Sequence, residues 1–270
     1  MTAAEYDPVG DGIACFFRWY RRRHANVSAL SVVQPEGQDR RPGIFLPEQH
    51  VLIGSALDAM ATDWARVFRP ELNTDGAPAG NRMSEFLRAN ANKTGIFDKV
   101  AAPMLADHLQ AEGEDQAATV VRKVTGDRRN GIVRFAEEDP AYGWMTAHAE
   151  IVALDLNNRL RPRRPRRALD RFRYGEVIYA DYRCHWSHNL RGSERLAASN
   201  HNEMMGCAEE MDHRVRYENV SIMNAQRTGW TPLRRPVFSL RWLLAIYQEA
   251  IDSFERQCVE QRRDPMPGRG

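Results

Sequence analysis

Apolar residues recur at helical spacing in several separate stretches of this chain. After Pro47 they keep a period of about 3.6 residues, until Arg69-Pro70 interrupts the pattern. A second continuous stripe occupies residues 240–258, and Ser239 is placed to cap its start. Both stripes predict amphipathic helices with one buried face. The core residues predicted from them are Leu57, Trp64, Leu244 and Tyr247.

Shorter patterns predict further helices and one small β element. The helices are expected at residues 13–29, 83–89, 97–109, 115–124, 144–160 and 169–190. Partial alternation of polar and apolar residues at 215–222 predicts a short strand or hairpin. Stretch 34–47 is rich in Pro and Gly, and stretch 71–81 is rich in Asn, Asp, Gly and Pro, so both predict loops. The fold class predicted is therefore mainly α, a helical bundle with loop insertions and a short β-hairpin.

Length and composition suit one sizeable domain. The chain has 270 residues, of which 43% are hydrophobic, so it can bury a substantial core. We predict an N-terminal helical extension at 1–46, a helical domain at 47–260 and a flexible tail at 261–270. No apolar run reaches the roughly 18 residues of a membrane span, so no membrane partner is expected.

The first residues and the cysteines bear on the cellular compartment. Acidic residues precede the short apolar run at 13–17, an order opposite to that of a secretory signal, so cytoplasmic residence is expected. The four cysteines are widely separated and form no Cys-x-x-Cys pair, which favours free thiols over a zinc ribbon.

Positive charge is concentrated in one segment although the formal net charge is only +2. Residues 159–173 contain eight arginines and one acid, Asp170. Pro162 and Pro165 prevent a continuous helix there, so the arginines are expected on an exposed turn. Such a turn can follow an RNA backbone, or it can be a solvated loop or bind an acidic protein. The candidate RNA-binding residues are Arg161, Arg163, Arg164, Arg166 and Arg167.

An arginine and a histidine five residues apart follow this segment. Arg183 keeps its charge and offers a planar fork of donors that matches phosphate oxygens. His188 can give or take a proton near neutral pH. The pair therefore predicts chemistry on a phosphodiester, with His185 and Asn189 as auxiliary candidates. Arg183 could instead bond helix-end carbonyls or Asp181, with His188 as a satisfied core residue.

Positions five apart in a regular helix lie about 140° from each other, so the two side chains cannot both point squarely at one phosphate. Convergence is easier if Arg183 lies near an irregular turn. A second subunit could also complete the site.

The sequence RCHWSH, followed by Asn189, Leu190 and Arg191, resembles the Arg-x(4–6)-His motif of the HEPN superfamily of α-helical domains. Residues 50–64 resemble an early helix of bacterial HEPN-like proteins, and residues 238–247 resemble the closing helix. The resemblance covers roughly residues 47–258. At the position after the arginine, active members usually carry a polar residue, and this chain carries Cys184.

The resemblance implies a metal-independent endoribonuclease that needs no cofactor. It implies a homodimer with both motifs at the interface, in bacterial anti-phage defence or a toxin system, with a defence protein as a further partner. Arg183 and His188 would be catalytic, with Arg191 among the RNA contacts. The alternative is a catalytically silent module of the same fold that binds a nucleotide, RNA or a protein, which Cys184 favours.

Metal-ligand spacings do not extend to a full site. His185 and His188 lie one turn apart but lack a third ligand at suitable spacing. Glu210 and His213 match one half of a di-iron motif, and the second half is absent from the sequence. No metal site is therefore predicted.

Overall fold

The computed structural model describes residues 7–30, 47–74, 77–126, 134–147, 168–184, 214–223 and 230–266. Within these ranges the chain is mainly α-helical with a small antiparallel sheet, which confirms the predicted fold class. The long helices are α1 (Pro8–Ala29), α2 (Pro47–Phe68) and α8 (Leu240–Glu260). The shorter helices are α3 (Ala79–Asn90), α4 (Ala102–Ala111), α5 (Asp115–Val124), α6 (Tyr142–Ala147) and α7 (Tyr174–Val177).

Local sequence accounts for where several helices begin and end. The Ser239 hydroxyl accepts a hydrogen bond from the Trp242 N–H at 3.1 Å and so caps α8. Helix α2 ends at Phe68, directly before Arg69-Pro70. The helix predicted at 97–109 begins later, at Ala102, because Pro103 is tolerated only in the first turn of a helix. The residues before it form a 3₁₀ turn, Ile96–Asp98.

The hydrophobic core is centred on α1, α2 and α8. Phe17 of α1 contacts Phe254 of α8 edge-to-face with ring centroids 5.1 Å apart, and Trp64 of α2 contacts Phe86 of α3 at 5.9 Å. The predicted core residues Leu57, Trp64 and Tyr247 are buried. Leu244 is only partly buried and packs against the edge of the core.

Helix α1 contributes its apolar face to this same core. Polar contacts hold this helix as well. Arg21, in its middle, forms ion pairs with Asp252 and Glu255 of α8, and Asp7, at its start, pairs with Arg262 at 2.9 Å. The predicted domain boundary at residue 46 lies outside the described residues and stays a prediction. The predicted flexible tail at 261–270 is described as far as Met266, which packs against the core, and its flexibility stays a prediction.

The sheet consists of β1 (Arg134–Phe135), β2 (Arg216–Met223) and β3 (Trp230–Val237) in that order, all antiparallel. Strand β2 matches the predicted strand at 215–222. Its partner β3 was not predicted, because Pro232 and Pro236 argue against a strand. In this sheet β3 is an edge strand, where proline is tolerated.

A buried carboxylate joins the sheet to the helices. Asp139 Oδ2 accepts hydrogen bonds from the hydroxyls of Tyr174 and Tyr217, each at 2.6 Å, and Oδ1 pairs with Arg134 at 2.8 Å. Burial raises the pKa of Asp139 to about 6, although these three partners act in the opposite direction. The cluster therefore fastens β1 and β2 to α7.

Helices α3 and α7 approach each other closely because both carry glycine at the contact. A Cβ on Gly175 would lie 2.5 Å from Ser84 Cα. A Cβ on Gly80 would overlap the carboxylate of Glu176.

Across the described residues, no helix is both long enough and apolar enough to cross a membrane.

Gly175→Ala should destabilise the protein by about 1–3 kcal/mol, because the added methyl group meets the backbone of α3. Gly143→Ala is the matched control, since a Cβ at that position has no atom within 4 Å and alanine favours the helix. Urea denaturation compares the free energies of unfolding. Equal stability of the two variants would contradict the close packing of α3 and α7.

Candidate functional site

The structure describes one member of the predicted catalytic set, Arg183. His185, His188 and Asn189 lie outside the described residues, as does Arg191. The same holds for the arginine-rich turn at 161–167. Of the predicted site, the structure therefore shows Arg183 and the residues that contact it.

Arg183 is the last residue of a π-helical turn, Ile178–Arg183, that follows α7. Cys184 donates its backbone N–H to the carbonyl of Tyr179, five residues earlier. The helix predicted at 169–190 is thus irregular: a 3₁₀ turn (Ala168–Phe172) precedes α7, and the π turn follows it. Single π turns inside helices are frequent at functional sites. Arg183 thus lies on an irregular turn, the arrangement that eases convergence of Arg183 and His188.

One face of α2 supports this turn through residues spaced four apart. Gly54 leaves room for the turn, since a Cβ there would lie 3.3 Å from Arg183 Cγ. One helical turn further on, Asp58 Oδ2 lies 2.7 Å from the Arg183 guanidinium. One helical turn before Gly54, His50 Nδ1 lies 2.8 Å from the hydroxyl of Tyr182. His50, Gly54 and Asp58 thus form a stripe along α2 that contacts the π turn.

Sequence reasoning missed this stripe as part of the site. The available signal was the four-residue spacing of a histidine, a glycine and an aspartate on one face of an amphipathic helix. That spacing alone does not say which distant segment packs on the face.

Two guanidinium groups flank the Asp58 carboxylate. Arg82 of α3 approaches Asp58 Oδ1 at 3.7 Å and donates to the Asn73 side chain at 3.2 Å. The Arg183 side chain is 24% exposed and that of Asp58 15%. Two positive charges against one negative charge leave a net charge of about +1 at a partly accessible position, which suits an anionic ligand.

Burial and charge act in opposite directions on Arg183. Burial is the largest single influence and works to lower the pKa of Arg183. The negative charge of Asp58, together with the hydrogen bond to Cys184 and the charges of Tyr179 and Cys184, outweighs burial, so the pKa is raised. The guanidinium also lies 5.7 Å from the ring centroid of Tyr179, within cation–π range. Burial, followed by the charges of Cys184 and Asp58, raises the pKa of the Tyr179 hydroxyl. Arg183 is therefore a permanent cation held on two sides.

His50 is buried and acts on the site through Tyr182. Burial lowers its pKa to about 4, so the imidazole is neutral at pH 7. The Tyr182 hydroxyl lies against the His50 ring and also donates to the His50 carbonyl at 3.2 Å. His50 therefore anchors the residue next to Arg183.

Metal binding has no support in the described ranges, where no three or more His, Cys, Asp or Glu side chains are grouped to hold an ion. Cys184 is a half-buried free thiol beside Arg183.

No protein-family model matches this chain, and neither the curated proteins nor the solved structures contain a match to it. The HEPN resemblance therefore depends on the Arg-x4-His motif and the helical pattern alone.

His50→Gln should remove an acid-side loss of stability. The unfolded histidine takes up a proton near pH 6.5 and the folded one only near pH 4, so lowering the pH between these values favours unfolding. Between pH 7 and pH 4.5, the native chain should therefore lose about 2–3 kcal/mol of its free energy of unfolding relative to the variant. Urea denaturation of both chains at both pH values measures it. A difference that does not change with pH would show that His50 titrates normally.

Proposed function

We propose that the protein is a metal-independent endoribonuclease of the HEPN type. The observation that carries the proposal is Arg183, the first residue of the Arg-x4-His motif, presented on a π turn with its guanidinium partly exposed. Asp58 and Tyr179 hold that guanidinium on two sides. A preorganised cation of this kind is what stabilisation of a phosphorane-like transition state requires.

In the proposed reaction the RNA 2′-hydroxyl attacks the adjacent phosphorus and expels the 5′-oxygen of the next nucleotide. His188 exchanges protons with these oxygens, and Arg183 neutralises the charge on the non-bridging oxygens. The products are a 2′,3′-cyclic phosphate and a free 5′-hydroxyl. His185 and Asn189 are the auxiliary polar groups in this proposal. Asp58 acts as a positioning residue that fixes Arg183.

The wider setting follows from the resemblance and is part of the same proposal. Two copies of the chain would bring two motifs together, and the arginines at 161–167 with Arg191 would hold the RNA backbone. The biological role would be bacterial defence or toxicity, with a protein partner that controls the nuclease.

The second candidate is a silent HEPN-like module that binds RNA, a nucleotide or a protein. The 2.7 Å ion pair favours it, because the Arg183 guanidinium already has a carboxylate partner without RNA. Cys184 favours it too. The two candidates differ in what they require of Asp58, and that difference is measurable.

Arg183→Ala and His188→Ala should each reduce RNA cleavage by about two orders of magnitude in the presence of EDTA. Arg183→Lys is the matched variant, since it keeps a charge beside Asp58 but loses the planar fork; cleavage should fall while the fold survives. Product ends are identified by mass spectrometry. Wild-type rates in both alanine variants would reject the nuclease. Partial activity in a mixture of the two alanine chains would indicate a composite dimer site.

Asp58→Asn separates the two candidates. In a nuclease, loss of the positioning carboxylate should lower kcat more than it raises KM. In a silent module, the native chain does not cleave, and release of the guanidinium should tighten RNA binding. Circular dichroism of each variant checks that the helices are intact.

Replacement of Arg163, Arg164, Arg166 and Arg167 by glutamine should weaken RNA binding and flatten its salt dependence. For a single strand, each phosphate that is no longer neutralised lowers the slope of log K against log salt by about 0.7. Fluorescence anisotropy at several salt concentrations gives the slope. An unchanged slope would assign this segment to solvent or to a protein partner.

A further inference from the structure

The outer face of α1 combines an exposed indole with arginines. Trp19 is 53% exposed, and among the described residues it is one of few large apolar side chains at the surface. Arg18 and Arg22 are exposed beside it, and the Arg23 guanidinium lies 5.2 Å from its ring centroid. At about 100° per residue, these four positions fall within an arc of roughly 140°.

This face points away from the elements that cover α1. The opposite side of the helix buries Phe16, Phe17 and Tyr20 in the core. Arg21, between the two sides, reaches the carboxylates of α8. The α8 carboxylates that reach this helix among the described residues, Asp252 and Glu255, are therefore paired with Arg21.

The arginines of the outer face have no such counterions in the part of the chain that the structure describes. Across the described residues, Arg18, Arg22 and Arg23 form no ion pair with a carboxylate. The acid on the exposed part of α1 itself, Asp11, lies about two turns before Arg18. Within the described ranges, this face therefore carries positive charge without a paired carboxylate, around an exposed aromatic ring.

An exposed aromatic ring within a cationic surface matches one class of ligand well. The bases of a single strand stack on an indole regardless of their identity, while arginines neutralise the flanking phosphates. A paired duplex offers no free base face for stacking. A membrane surface fits less well, because a helix that lies in a bilayer uses a broad apolar face, and the apolar face of α1 is buried in the core.

We propose that Trp19, with Arg18, Arg22 and Arg23, forms a binding surface for single-stranded nucleic acid, in which one base stacks on the indole. The surface is separate from the Arg183 site in sequence and structural element. The proposal goes beyond the nuclease function and does not depend on it, because binding here requires no cleavage.

The test uses fluorescently labelled 20-nucleotide strands of dT and of 2′-O-methyl U, neither of which has a 2′-hydroxyl to attack. Anisotropy titrations with the full chain give Kd at several salt concentrations. Trp19→Ala should weaken binding about fivefold to a hundredfold, whereas Trp19→Phe should keep most of the affinity through its remaining ring. Val259→Ala is the matched control, since Val259 is 57% exposed on α8 and should have no effect.

The charge component has its own variant and control. Arg18→Gln with Arg22→Gln should lower the salt slope by about 1.4, the value for two phosphates on a single strand. Lys123→Gln with Arg256→Gln removes two exposed charges from α5 and α8 and should leave the slope unchanged. Equal strength with both strands indicates stacking and phosphate contacts; preference for one strand shows that the sugar is also recognised.

Three results would overturn the proposal. Unchanged affinity in Trp19→Ala would exclude stacking. Equal effects of the two double variants on the salt slope would show that the surface contributes only the general attraction of exposed positive charge. Flotation of the chain with anionic vesicles, abolished in Trp19→Ala without any change in strand binding, would assign the face to membranes. Inactivity of the chain as a nuclease affects none of these measurements.

Discussion

The packing of helix α2 against its neighbours is the constraint on which the remaining structure depends. Its apolar face lies against α1, α3 and α8, and its stripe of His50, Gly54 and Asp58 contacts the π turn. A helix covered on several sides can carry polar residues only where partners satisfy them. Tyr182 and Arg183 are those partners. The packing of α2 and the geometry of the candidate site therefore depend on the same contacts.

Helices with regular apolar stripes could be predicted from the sequence, and those with local irregularities could not. Helix α2 and helix α8 agree closely with their patterns because burial on one face sets the period. Strand β3 was not predicted because its prolines are acceptable only at a sheet edge. Whether a strand lies at the edge depends on the whole sheet and not on the local sequence. The π turn escaped because a single inserted residue barely changes the apolar pattern.

Arg183 was predicted as a site residue from sequence because an arginine and a histidine at this spacing suit chemistry on a phosphodiester. Its partners were not found, because Asp58 and Gly54 are far away in the chain and no local signal links them to residue 183. The Trp19 surface had a partial signal in the sequence, because Arg18, Arg22 and Arg23 lie close together in the helix predicted at 13–29. Only the fold shows that carboxylates of α8 pair with Arg21, while the neighbouring arginines form no ion pair among the described residues.

Two buried groups with pKa values in the mildly acidic range, Asp139 and His50, have opposite effects on the pH dependence of stability. Burial raises the pKa of Asp139 to about 6, so rising pH costs stability between about pH 4 and pH 6, while the pKa of His50 near 4 makes rising pH restore stability over almost the same interval. Their slopes have opposite signs and similar size. The two contributions therefore largely cancel, so mild acidification should change the combined contribution of Asp139 and His50 to the free energy of unfolding only a little.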